Sequence, residues 1–109
     1  MIKARDFILV ITTCPDQACA DALAEALVQQ KLAACVQQIP GIRSFYQWKG
    51  NIEVDNEVLL HIKARASRFE EVAASINALH PYELPEIIAI PLEAASGPYL
   101  RWLDESVTA

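Results

Sequence analysis

Five consecutive apolar residues, Phe7 to Ile11, follow a polar N-terminal stretch and show no polar face. That is the pattern of a strand covered on both sides. A helical period then takes over. Ala20, Leu23, Ala24, Leu27 and Val28 fall at i, i+3, i+4 spacing and predict one buried stripe. Pro15-Asp16 predicts the helix start, with Asp16 and Asp21 near its positive end and Lys31 in its last turn. The chain next reads as extended. Residues 33–36 and 42–48 predict one strand, bent or bulged at Ile39-Pro40-Gly41. Lys49-Gly50-Asn51 predicts the turn into a second long strand over 52–64. Alternation there places Val54, Val58, Leu60 and Ile62 on one face, and Glu53, Asp55, Glu57, His61 and Lys63 on the other. Ser67-Arg68-Phe69-Glu70 has capping-box spacing, and Phe69, Val72, Ala73, Ile76 and Leu79 predict the stripe of a second helix. His80-Pro81 should end it, because a residue before proline is pushed toward extended geometry. A strand over 86–92 and a short helix over 99–107, opened by Gly97-Pro98, complete the pattern. That helix should bury Leu100, Leu103 and Val107, with Trp102 to one side.

The resulting order is β-α-β-β-α-β plus a terminal helix. This predicts an α+β, ferredoxin-like plait: a four-stranded antiparallel sheet with two helices on one face. The other face is left uncovered although the strands are apolar, and oligomerisation is the simplest remedy. The long hairpin should project beyond the body, with Phe45, Tyr46 and Trp48 near its end as a place for another subunit.

Composition narrows the function. At 109 residues the chain predicts one domain over 1–109, and its 53% hydrophobic content excludes a disordered tail. A net charge of −5, with Lys63, Arg65 and Arg68 the closest basic group, argues against nucleic acid as a partner. No apolar run approaches the roughly 20 residues of a spanning helix, so no membrane partner is expected. Neither the apolar region nor the cleavage site of a signal peptide is present, which points to the cytoplasm. Cys14, Cys19 and Cys35 are an odd number without a CxxC pair, so neither a disulfide framework nor a structural zinc cage is expected. Cys19 and Cys35 read as small core fillers.

Candidate chemistry concentrates in His80-Pro81-Tyr82-Glu83-Leu84-Pro85-Glu86. His80 could ligate a metal through one ring nitrogen, or bond the last free carbonyls of the second helix. Glu83 and Glu86 could complete such a site with oxygen ligands, or pair with a cation and with water. Tyr46 and Trp48 suit either a pocket wall or an interface. Glu57 and Lys63 share a strand face about 20 Å apart and cannot pair within one strand. Cys14, just before the first helix, has no resolving cysteine or histidine placed for it in sequence and reads as a spare buried thiol. Without a nucleophile–base pair or a Gly-rich anion loop, no enzymatic activity is expected.

Five segments together resemble the CutA divalent-cation tolerance proteins. They are Ile11-Thr12-Thr13-Cys14-Pro15-Asp16, Lys31-Leu32-Ala33-Ala34-Cys35-Val36, Ile39-Pro40-Gly41 with Tyr46-Gln47-Trp48-Lys49-Gly50, the His80–Glu86 stretch, and Tyr99-Leu100-Arg101-Trp102-Leu103. The resemblance spans nearly the whole chain. It implies a homotrimer with exchanged hairpins, similar in architecture to the PII signalling proteins, with metal tolerance as its role and copper or zinc as candidate ions. It also implies an intersubunit cleft involving Trp48, Glu57, Lys63, His80 and Tyr82, with Cys35 nearby. Metal would fall to His80 and Glu83. Some metal-binding members carry a cysteine and a further histidine where this chain has Thr12 and Leu79. A PII-like sensor of a small anionic ligand is the alternative function.

Overall fold

The computed structural model describes residues 1–108. Strands β1 (Phe7–Cys14), β2 (Ala33–Trp48), β3 (Asn51–Arg65) and β4 (Ile88–Pro91) form one antiparallel sheet in the order β2-β3-β1-β4. Helices α1 (Gln17–Gln29) and α2 (Phe69–Leu79) pack on one face of it, and α3 (Gly97–Ser106) closes the end of the other. This is the split-βαβ plait expected from the hydrophobic pattern. Ile8, Val10 and Cys14 of β1 meet Leu60, Ile62 and Ala64 of β3 under Ala20, Leu23 and Leu27 of α1 and Val72 and Ile76 of α2. Phe7, one residue out of phase with Ile8, points to the opposite side and packs with Leu103 and Val107.

Local chemistry sets the ends of these elements. Asp16 caps α1, its carboxylate accepting the Cys19 N–H at 2.8 Å, so Pro15 precedes the helix instead of lying inside it. Lys31 does not sit in the last turn. It lies beyond the end at φ +58°, and the Lys31 and Leu32 N–H groups bond back to the carbonyls of Val28 and Leu27. That is a Schellman closure built on a lysine where glycine is usual. The capping box at Ser67–Glu70 does not form. A 3-10 turn over Ala66–Arg68 leads straight into α2, which has Arg68 at its N-cap without a side-chain cap. Val28 and Leu79 are exposed, because each helix buries a narrower line than its spacing allows.

The strand over 33–48 is continuous. One extra residue is absorbed between Ile39 and Ile42, where Gly41 takes φ +79°. Trp48 pairs with Asn51 across Lys49 and Gly50, both at positive φ as in a type I′ turn. The hairpin draws the molecule out to 49 × 25 × 23 Å. Strand β4 covers only 88–91, shorter than expected, and is exposed along its length. Arg65 pins α3 to the sheet through the Asp104 carboxylate at 3.1 Å and the Thr108 carbonyl at 3.2 Å.

Candidate functional site

The uncovered sheet face carries a cleft of about 650 Å³, lined by Thr13, Ser44, Tyr46, Trp48, Glu57, Tyr82, Glu83 and Glu86 among others. Register explains its composition. Ser44, Tyr46 and Trp48 pair with Asp55, Glu53 and Asn51, and so share the face of Glu57. The segment after α2 folds Tyr82 back over that face. Its phenol donates to Glu57 Oε2 at 2.8 Å, while the Ser44 hydroxyl donates to Oε1 at 2.6 Å. Glu57 is therefore buried although it stands on the polar side of β3. Both of its oxygens are satisfied, which is what allows a carboxylate to remain there.

Burial, and then the bond to Glu57, pushes the Tyr82 phenol above the ordinary tyrosine range. Tyr46 donates to Asp55, and that hydrogen bond is the main cause of a pKa pushed up to about 12. Both phenols stay protonated and act as donors. Three glutamates and no lysine or arginine line the cleft.

His80 does not open into the cleft. It is buried at the end of α2, where its Nδ1 accepts the Tyr82 N–H at 3.1 Å. That acceptor role puts the proton on Nε2, which donates to the Thr13 carbonyl at 2.7 Å. The ring thus ties α2 to β1 and does not cap the carbonyls of its own helix. Its other neighbours are Cys14 and Cys19. A ring nitrogen and the two sulfur atoms all lie within 4.8 Å of one another. Cys14 is not a solitary thiol, and burial is the first cause that raises its pKa.

The model of the CutA1 divalent ion tolerance protein family matches residues 8–106. The chain belongs to that family. The CutA of Thermus thermophilus, described as a divalent-cation tolerance protein, is 41% identical over 98 residues, covering 90% of this chain and 95% of its own length. A CutA homologue of Xenopus laevis is 46% identical over 95 residues, 87% of this chain and 63% of the relative. The chain thus spans about half to two thirds of several eukaryotic CutA relatives, 57% for the chloroplastic protein of Arabidopsis thaliana. Among solved structures, CutA1 of Shewanella sp. SIB1 superposes with a TM-score of 0.93 at 39% identity, covering 98% of this chain and all of that one. The Thermus protein gives 0.91 at 39%, covering 94% and 99%. One relative is named chloroplastic and another structure periplasmic, so the compartment does not follow from CutA membership. No helix among the described residues is long and apolar enough to cross a membrane.

Of the residues expected in the CutA cleft, Trp48, Glu57 and Tyr82 come together, and Glu83, expected as a metal ligand, lies with them. Cys35 and Lys63 do not. They pair with each other at the opposite end of the same face, where Lys63 Nζ donates to the Tyr99 hydroxyl at 3.0 Å. His80 and Glu83 separate as well, one buried against sulfur and the other exposed in the cleft. Thr12 is fully buried with no hydrogen-bond partner for its hydroxyl, and Leu79 is exposed. Sequence reasoning missed Ser44 and Thr13 as cleft residues. The register of the hairpin could have found Ser44, one pair beyond Tyr46 on the same face.

Proposed function

We propose that this CutA-family protein acts without catalysis in divalent-cation tolerance, as a homotrimer that holds a divalent cation at the carboxylates of its clefts. The observation that carries this reading is the charge of the cleft: Glu57, Glu83 and Glu86 with no basic side chain among its lining residues. Glu57 is already spent on Ser44 and Tyr82, which leaves Glu83 and Glu86 as the free oxygen donors. Oxygen ligands suit a divalent ion, Zn²⁺ or Cu²⁺, better than a soft monovalent one. The same carboxylates repel a small anionic metabolite, which removes the support for a PII-like anion sensor.

The trimer is supported by exposed apolar surface. Ile39, Ile88 and Ile90 lie on the uncovered face, and Phe45, Ile52 and Val54 lie exposed along the projecting hairpin. Surface of that extent is characteristic of contact between copies. Cys35 and Lys63 reach a cleft only from a neighbouring protomer, as a closed ring of head-to-tail contacts would allow.

Native mass spectrometry of freshly isolated protein should show three times the 12.1 kDa subunit mass. Calorimetric titration with Zn²⁺ and Cu²⁺ should then show binding that falls at least about tenfold in Glu83→Gln. A monomer would remove the trimer, and unchanged affinity in that variant would remove Glu83 as a ligand.

A further inference from the structure

The strongest unassigned grouping lies behind the cleft, on the helix-covered side of β1. Cys14 ends β1 and is fully buried; Cys19 is half-buried in the first turn of α1. The turn between them is pinned by Asp16, whose carboxylate holds the Cys19 N–H. From the far end of α2, 66 positions after Cys14, comes His80, with its ring fixed by Thr13 and Tyr82. The three candidate ligand atoms lie within 4.8 Å of one another.

Ligand chemistry narrows what could fit. Two sulfurs and an imidazole exclude Mg²⁺ and Ca²⁺, which take oxygen. Zn–S bonds of about 2.3 Å and Zn–N bonds of about 2.0 Å set ligand separations near 3.5–3.8 Å in a tetrahedron, so closure needs shifts of roughly 1 Å. Charge decides further. Two thiolates neutralise a divalent ion, whereas a monovalent one would leave a buried net charge that is expensive to desolvate.

We propose that Cys14, Cys19 and His80 form a binding site for a thiophilic divalent d¹⁰ ion, Zn²⁺ foremost, distinct from the carboxylate cleft and from positions 12 and 79. Binding is not a redox step. Each thiol loses its proton to solvent as its Sγ–metal bond forms, so two protons are released per ion. Ligation through Nδ1 of His80 gives up the Tyr82 N–H bond and keeps the Nε2–H bond to the Thr13 carbonyl, which orients the ring as such bonds do in zinc sites. Water completes the tetrahedron. The exchange occurs one bond away from Tyr82, so occupancy is linked to the residue that covers Glu57.

The test is a titration of the full chain under reducing conditions, with Co²⁺ as the spectroscopic probe and Zn²⁺ competing against a chromophoric chelator. One Co²⁺ per subunit should give sulfur-to-cobalt charge-transfer absorption and intense tetrahedral bands, and Zn²⁺ should abolish them. Release of two protons per ion should appear in weakly buffered solution. Cys14→Ser sits in the core and is open to unfolding, so half-buried Cys19→Ser carries the decision, with thermal melts confirming its fold. In Cys19→Ser the charge-transfer band should be lost and Zn²⁺ affinity should fall about 100-fold; Cys35→Ser should retain both, and Glu83→Gln should retain the charge-transfer band. Absence of the band in the natural sequence, or full Zn²⁺ affinity in Cys19→Ser, overturns the thiol site. If Zn²⁺ binding is lost in Glu83→Gln and kept in Cys19→Ser, the ion resides in the cleft and only this inference fails.

Discussion

Among the described residues, one buried side-chain polar atom has no hydrogen-bond partner, and it lies on the sheet. Thr12 is fully buried and its hydroxyl has no partner, while Glu57, also buried, has both oxygens bonded. Replacing an unpaired hydroxyl by a methyl of the same shape removes a desolvation penalty and leaves no void. Thr12→Val should therefore stabilise the fold by about 1 kcal/mol, read as a higher urea midpoint at unchanged slope. Tyr46 gives the opposite kind of signal, a matched group with a pH signature. Its pKa rises from 10.0 to about 12 in the folded protein, so the native state holds the phenolic proton more tightly than the unfolded chain does. The contribution is complete below pH 10, declines as pH rises from 10 toward 12, and is gone above. Denaturation across that window should show falling stability, and Tyr46→Phe should flatten the part of the slope that Tyr46 supplies.

At the scale of elements, the departures from local rules are as informative as the agreements. Lys31 closes α1 at φ +58°, a conformation that costs a residue with a Cβ but not glycine. Lys31→Gly should raise stability by about 0.5–1 kcal/mol, seen as a melting temperature higher by a few degrees. The bonds that the Thr108 N–H and hydroxyl donate to the Lys31 carbonyl do not depend on the lysine side chain and should persist. The helices, the hairpin and its turn were legible because each has its own period or its own turn residues. The capping box was misleading: the four-residue spacing is present, but the 3-10 turn through Ser67 takes up the backbone that a cap would use. The burial of Glu57 was not legible, since it depends on Tyr82 arriving 25 residues later to cover it. The Cys14–Cys19–His80 grouping was hidden for the same reason. Half of it could have been read locally, because a strand end, an Asp cap and a helical third position bring residues five apart into reach.

For the whole molecule, the plait topology followed from element order alone, and comparison with CutA structures agrees with it over 94–98% of the chain. What order could not supply is the distribution of function over the two sheet faces. One face is covered by helices and holds Cys14, Cys19 and His80 together; the other holds the carboxylate cleft and exposed apolar residues. The family-derived set of cleft residues falls at two ends of one face because extended strands keep their separation, and in the proposed trimer a second copy would join them. The irregularity between Ile39 and Ile42 bears on how that copy is met. Because it takes up one additional residue on β2 alone, Ile39 and Ile42 keep the same facing, and only the direction of the strand is altered. From Ile42 to the tip at Trp48 the arm is about 20 Å long, so a change of about 20° at its base would swing the tip roughly 7 Å sideways. In the proposed trimer, residues 40 and 41 therefore behave as the elbow of a lever. In that proposed assembly, the backbone angle at the elbow would set where the tip of the arm meets its neighbour.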